Sequence, residues 1–121
     1  MSTLTVICSV LFALLLLAGG VAHFARPRLS DGMIPDGLPK RAVHMVTGLV
    51  EIAIAVLLLL PGYRTYGLWA FGLLMLFFLP IHIVDFFRSK PVIGNRTVAA
   101  VRIGIQLLLI GLAIWLVRAN A

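Results

Sequence analysis

A chain of 121 residues that is 62% hydrophobic and only 12% charged lies far outside the composition of a soluble globular domain. Ten Lys and Arg against four Asp and Glu give a net charge of +6, and one cysteine excludes an intrachain disulfide or a paired-cysteine redox motif. No aromatic residues interleave with the basic ones in a base-stacking pattern, so the positive balance points to anionic lipid head groups and not to nucleic acid.

The first apolar run covers Leu4–Phe24. It has no basic leader and no A-x-A-like cleavage site, and no cysteine follows LLLAGG, so it is expected to stay as a membrane helix. Cys8 reads as a small buried apolar residue. His23 stands at the end of this run. The link that follows carries Pro27, Pro35 and Pro39 with Gly32 and Gly37, which forbid continuous helix. Met33, Ile34 and Leu38 among them predict a stiff loop on the membrane surface, placed to cap the helices.

The second run, Ala42–Leu60, contains Glu51 within TGLVEIAIAVLLLLP. An ionisable group at that depth costs at least about 2 kcal/mol unless something answers it. His44 lies seven residues earlier, on the same side of the helix and ~10 Å nearer its start. Gly48 and Ala55 share that face. Pro61–Thr65 is a tight turn. The third run, Tyr66–Phe87, includes Pro80, which leaves the Leu76 carbonyl without its helical donor and predicts a bend. His82 and Asp85, three apart, share a helix face and can pair locally. A short link, Ser89–Asn95, leads to the fourth run, Thr97–Val117, with Arg102 and Gln106 one and two turns inside. Gly104 and Gly111, seven apart, predict a close helix approach.

Each run is about 19–22 residues, enough to cross ~30 Å of hydrocarbon at about 1.5 Å per residue, and each is apolar all round instead of striped. The expected fold is an all-α integral membrane four-helix bundle. It is one domain over residues 1–121, up-down in topology, with a long proline-containing loop between helices 1 and 2. The links 1–2 and 3–4 hold Arg26, Arg28, Lys40, Arg41, Arg88, Lys90 and Arg96, while Arg64 and Arg118 lie on the other side. The positive-inside rule then predicts a multi-pass protein of the cell inner membrane with those two links cytoplasmic and both termini outside.

The polar residues gather by depth. His23, His44, Glu51, His82, Asp85, Arg102 and Gln106 come from four helices and all fall in the predicted cytoplasmic half. Each has a bland reading. Glu51 and Arg102 can form a structural ion pair that fixes helix register. His44 can touch lipid phosphate, and His23 can cap helix 1. His82 with Asp85 can be an interface anchor, and Gln106 can hydrogen-bond Arg102 or a neighbouring helix. The histidine spacings match no zinc motif, so no metal is expected.

The strings AGGVAHFARPRL, IPDGLP, TGLVEIAIAVLLLLP, FFLPIHIVDFF and VRIGIQLLLIGLAIW together resemble the DoxX-like family of small four-helix membrane proteins, over nearly the whole chain. The matching positions are His23, Pro27, Pro35, Pro39, Gly48, Glu51, Pro61, Pro80, Arg102 and Gln106. The chain departs at His82, where many relatives have Asn, and at Asp85, where they have an apolar residue. That departure implies an altered ligand or an added proton-handling group. The family name is linked to thiosulfate:quinone oxidoreductase, terminal oxidase and oxidative-stress complexes. The resemblance implies the fold far more firmly than an activity.

One functional reading is a site for a small amphipathic molecule: a quinone, a lipid or a sulfur-containing anion, in membrane redox or stress metabolism. Arg102 and Gln106 would hold an oxygen of the ligand, with His44, His82 and Asp85 around it. Glu51 and His23 would carry catalytic proton transfer, since carboxylate and imidazole both exchange protons. No haem pair, flavin motif or dithiol is evident, so quinone is the one cofactor considered, and redox work would need a partner subunit. A second reading is a non-catalytic accessory or assembly subunit of a membrane complex or a homo-oligomer, its polar cluster serving as internal glue. A third, by analogy with sterol-isomerase-like four-helix proteins, is an isomerase that shuttles protons. A transporter is disfavoured because the polar residues stop halfway.

Overall fold

The structure, a computed structural model, describes residues 1–121. Four helices account for most of the chain: α1 (Thr3–Ala25), α2 (Lys40–Leu59), α3 (Arg64–Phe86) and α4 (Arg96–Ala119). All four are long and apolar enough to cross a membrane. Their ends differ from the apolar runs by one or two residues, and the cause is general. Hydrophobicity stops at the edge of hydrocarbon, whereas backbone hydrogen bonding stops at caps. Thus α2 begins at Lys40, directly after Pro39, and α4 begins at Arg96, where the Asn95 side chain accepts from the Val98 N–H at 3.0 Å. Helix α3 continues through Pro80.

The helices pack closely as two pairs, α1 with α2 and α3 with α4. In the first pair, Gly20 and Gly48 meet back to back. A Cβ on Gly48 would stand 2.6 Å from the Phe24 ring and 3.0 Å from the Gly20 carbonyl oxygen. In lipid, where burying leucine against leucine gains little over burying it against acyl chains, such close backbone approach is a main source of helix affinity. Gly104 and Gly111 of α4 behave otherwise: they have nothing within 4 Å, so the close approach expected there is not made within the chain.

One end of the bundle is solid. The buried core joins Phe12, Ala13 and Leu16 of α1, Ala55 and Leu58 of α2, Leu68, Phe71 and Met75 of α3, and Ala113 and Leu116 of α4. Most belong to the half nearest the two termini. At its centre the rings of Phe12 and Phe71 stack with centroids 4.2 Å apart, linking α1 to α3 across the bundle. A polar latch closes this end, where Asn120 Nδ2 donates to Thr5 Oγ1 at 3.0 Å and to the Leu116 carbonyl at 2.7 Å.

Arg64, which the sequence presents only as a turn cation, is buried and caps α2. Its Nε donates to the Leu58 carbonyl at 2.8 Å and an Nη to the Leu59 carbonyl at 3.3 Å, both orphans at a helix C-terminus. Arg64→Met strands these carbonyls. The expected loss is about 1–3 kcal/mol, read as a lower melting temperature in detergent. The His23–His44 contact at the opposite end should be untouched.

The other end, where links 1–2 and 3–4 lie, is built differently. Two short 3-10 turns, Pro27–Leu29 and Asp31–Met33, fold link 1–2 over the helix ends. The two links are clasped together. Arg88 donates to the Gly32 carbonyl at 2.8 Å, and a Cβ on Gly32 would stand 3.1 Å from Val92, so a larger residue would force the links apart.

Candidate functional site

Beneath that clasp the helix pairs do not close on each other, and a cavity of about 730 Å³ remains. Its walls are mostly apolar: Phe77, Phe78 and Ile81 from α3, Met33, Ile34 and Leu38 from the link above. Four of the seven polar residues singled out from the sequence line it: His23 from α1, Glu51 from α2, His82 from α3 and Arg102 from α4. Arg26, Ser30 and Thr47 join them.

Local structure explains how Glu51 arrives there. His44, Gly48, Glu51 and Ala55 recur at helical spacing and are all buried on the face that α2 turns to α1. Opposite the carboxylate stands Gly19, where a Cβ would lie 2.9 Å from Glu51 Oε2. Backbone without a side chain therefore leaves room for the acid, which is only 6% exposed.

The electrostatics are unusual for an interior. Glu51 Oε2, His82 Nδ1 and Arg102 Nη1 are each buried and each lack a hydrogen-bond partner. Native structures satisfy nearly all such atoms, so three around one cavity demand a cause. The expected Glu51–Arg102 ion pair is not its answer, because the ionic contact of Glu51 is with His23 Nε2, at 3.8 Å from Oε1. The two charges come from α2 and α4, which belong to different helix pairs and both line the cavity.

The other three candidates lie outside the lining. His44 is 4% exposed. Its Nδ1 is 2.8 Å from His23 Nδ1 and its Nε2 is 2.6 Å from Asp31 Oδ1. His23 accordingly spends its ring nitrogen on His44 and not on capping α1. Asp85 does not pair with His82. It accepts the Val92 N–H at 2.8 Å, with Arg88 Nε at 3.8 Å, and so organises link 3–4. Gln106 is buried against α3, donating to the Met75 carbonyl at 2.9 Å and lying 3.4 Å from the Met75 sulfur.

Asp31 is the residue that sequence reasoning missed. It sits in SDGM, where Ser, Asp and Gly read as ordinary turn chemistry, and no periodicity ties it to His44 thirteen positions on. No group of three or more His, Cys, Asp or Glu is arranged to hold a metal ion.

The donor set suits an oxygen-bearing ligand with an apolar body. Arg102 offers a fixed charged donor, His82 a donor or acceptor, and Glu51 an acceptor or, when protonated, a donor. A quinone fits these residues: carbonyl oxygens for Arg102 and His82, ring and tail for the Phe77 and Phe78 wall.

A family model described as a domain of unknown function (DUF8561) matches residues 12–117. No curated protein and no solved structure matches the chain.

Proposed function

The chain belongs to the DUF8561 family, and on the geometry of its site we propose that it holds a small amphipathic molecule inside the membrane. The observation that carries this reading is the convergence of three buried, unpartnered polar atoms, from Glu51, His82 and Arg102, on one apolar-walled cavity. Its volume of about 730 Å³ falls within the roughly 300–1,000 Å³ usual for ligand pockets. Arg102 and His82 bind an anionic or carbonyl oxygen, and Glu51 with His23 exchanges a proton with the occupant. A quinone, a lipid or a sulfur-containing anion meets these terms.

The resemblance to DoxX-like proteins supports an inner-membrane setting in membrane redox or stress metabolism. The seven cations of links 1–2 and 3–4 support a cytoplasmic position for the cavity end.

Native mass spectrometry in mild detergent tests the site. Wild type is expected to retain a small molecule, and folded Arg102→Met to lose affinity by roughly 10- to 100-fold, the worth of one hydrogen bond to a charged group. If wild type carries bulk lipid alone and Arg102→Met is merely less stable, the polar cluster is internal glue and the accessory-subunit reading prevails.

A further inference from the structure

We propose that Asp31, His44 and His23 form a proton relay that joins the loop-end surface to Glu51 in the cavity. The inference deepens the ligand-site reading, on which the purpose of the relay rests, by supplying the site with a proton path.

The geometry is a chain of single steps. A second recess, open at the loop end, is lined by Asp31 and His44 together with Arg28, Lys40 and Arg41. His23 borders both this recess and the inner cavity, so its ring forms part of the wall between them. From outside inward the contacts are Asp31 Oδ1 to His44 Nε2 at 2.6 Å, His44 Nδ1 to His23 Nδ1 at 2.8 Å, and His23 Nε2 to Glu51 Oε1 at 3.8 Å. The first two are hydrogen bonds, and the third is one small side-chain movement from being one.

With both imidazoles neutral, counting donors sets the hydrogens. With Asp31 ionised, His44 Nε2–H donates to it. His44 Nδ1 is then an acceptor, and His23 Nδ1–H donates to that. His23 Nε2 is left with a lone pair facing a carboxylate oxygen. Two acceptors face each other there unless one proton lies between them. The register of the chain therefore creates a seat for one mobile proton at the cavity wall.

Outward transfer balances without further reagents. A proton leaves the Glu51 carboxyl for His23 Nε2. The proton on His23 Nδ1 passes to His44 Nδ1, and that on His44 Nε2 passes to Asp31 and then to water. Inward transfer reverses each step. Imidazole suits both middle places because it takes a proton at one nitrogen while giving one at the other. The class of occupant implied is one that gains or loses a proton while bound.

Infrared spectroscopy of the whole protein in detergent, following hydrogen–deuterium exchange of the Glu51 carboxyl group, tests the relay. Glu51→Gln assigns the band. His44→Phe, and Asp31→Asn, which retains an acceptor oxygen but loses the base, are each expected to slow exchange on the order of 100-fold. Asp36→Asn, in the same link but outside the chain of contacts, should exchange as wild type does. A wild-type rate in folded His44→Phe, or in Asp31→Asn if the first does not fold, overturns the proposal. Native mass spectrometry on the same samples separates the two readings. Slowed exchange with no retained molecule in wild type supports the relay and rejects the ligand site, whereas normal exchange with a retained molecule does the reverse.

Discussion

Glu51→Leu is expected to raise the stability of the empty protein while abolishing ligand retention. The carboxylate is buried, Oε2 has no partner, and the nearest basic atom is 3.8 Å from Oε1. Leucine is close in size and brings no polar atom to satisfy. Removing an unanswered ionisable group from the membrane interior should return about 1–3 kcal/mol. This is the signature of a residue kept for function at the expense of stability. A structural ion pair behaves in the opposite way, since removing one partner costs about 3–5 kcal/mol. Thermal unfolding of ligand-stripped protein decides between them. A melting temperature below that of stripped wild type would mean that Glu51 holds the fold together.

Gly48→Leu is the change expected to damage the fold most. Even a methyl group at Gly48 would stand 2.6 Å from the Phe24 ring and 3.0 Å from the Gly20 carbonyl oxygen. A ring can rotate away, but backbone of the facing helix cannot. Overpacking of this kind costs about 1–3 kcal/mol for a modest enlargement, which is the expectation for Gly48→Ala. Leucine should force α1 and α2 apart and leave little monodisperse protein in detergent. The same variant should break the His23–His44 contact, which depends on that crossing. Gly104→Leu is the control. With nothing within 4 Å of its Cβ position, it should change stability by no more than about 0.5 kcal/mol. Indistinguishable size-exclusion profiles for the two leucine variants would refute the packing described for α1 and α2.

The helices were legible because hydrocarbon imposes a length that few sequences meet by accident. The face of α2 was legible for a related reason: His44, Gly48, Glu51 and Ala55 repeat at helical spacing, and spacing sets direction. The site was legible only in part, because depth in a membrane does not determine what lies opposite. Gln106 follows Arg102 by one turn on the same face, yet that turn carries it past the floor of the cavity to Met75, a member of the solid core. Asp85 follows His82 by one turn the other way, into link 3–4. Opposite charges at equal depth suggested Glu51 with Arg102. Only the association of helices into pairs shows that a cavity lies between those two. Asp31 was hidden for a different reason, since a proline-rich loop has no period from which to infer its contacts.

The solid half of the bundle has a consequence of its own. Membranes that store energy as a proton gradient work as charged capacitors, and an acid set deep in one invites a short circuit. Beyond Glu51 the packed core joins thirteen buried residues, twelve apolar ones and the Cys8 thiol, and the polar residues buried around it at that end are Thr5, Ser9 and Arg64. On the proposed relay, that layer would act as insulation. A proton loaded through that relay would enter from one face of the membrane and leave by the same face, with the stored voltage intact.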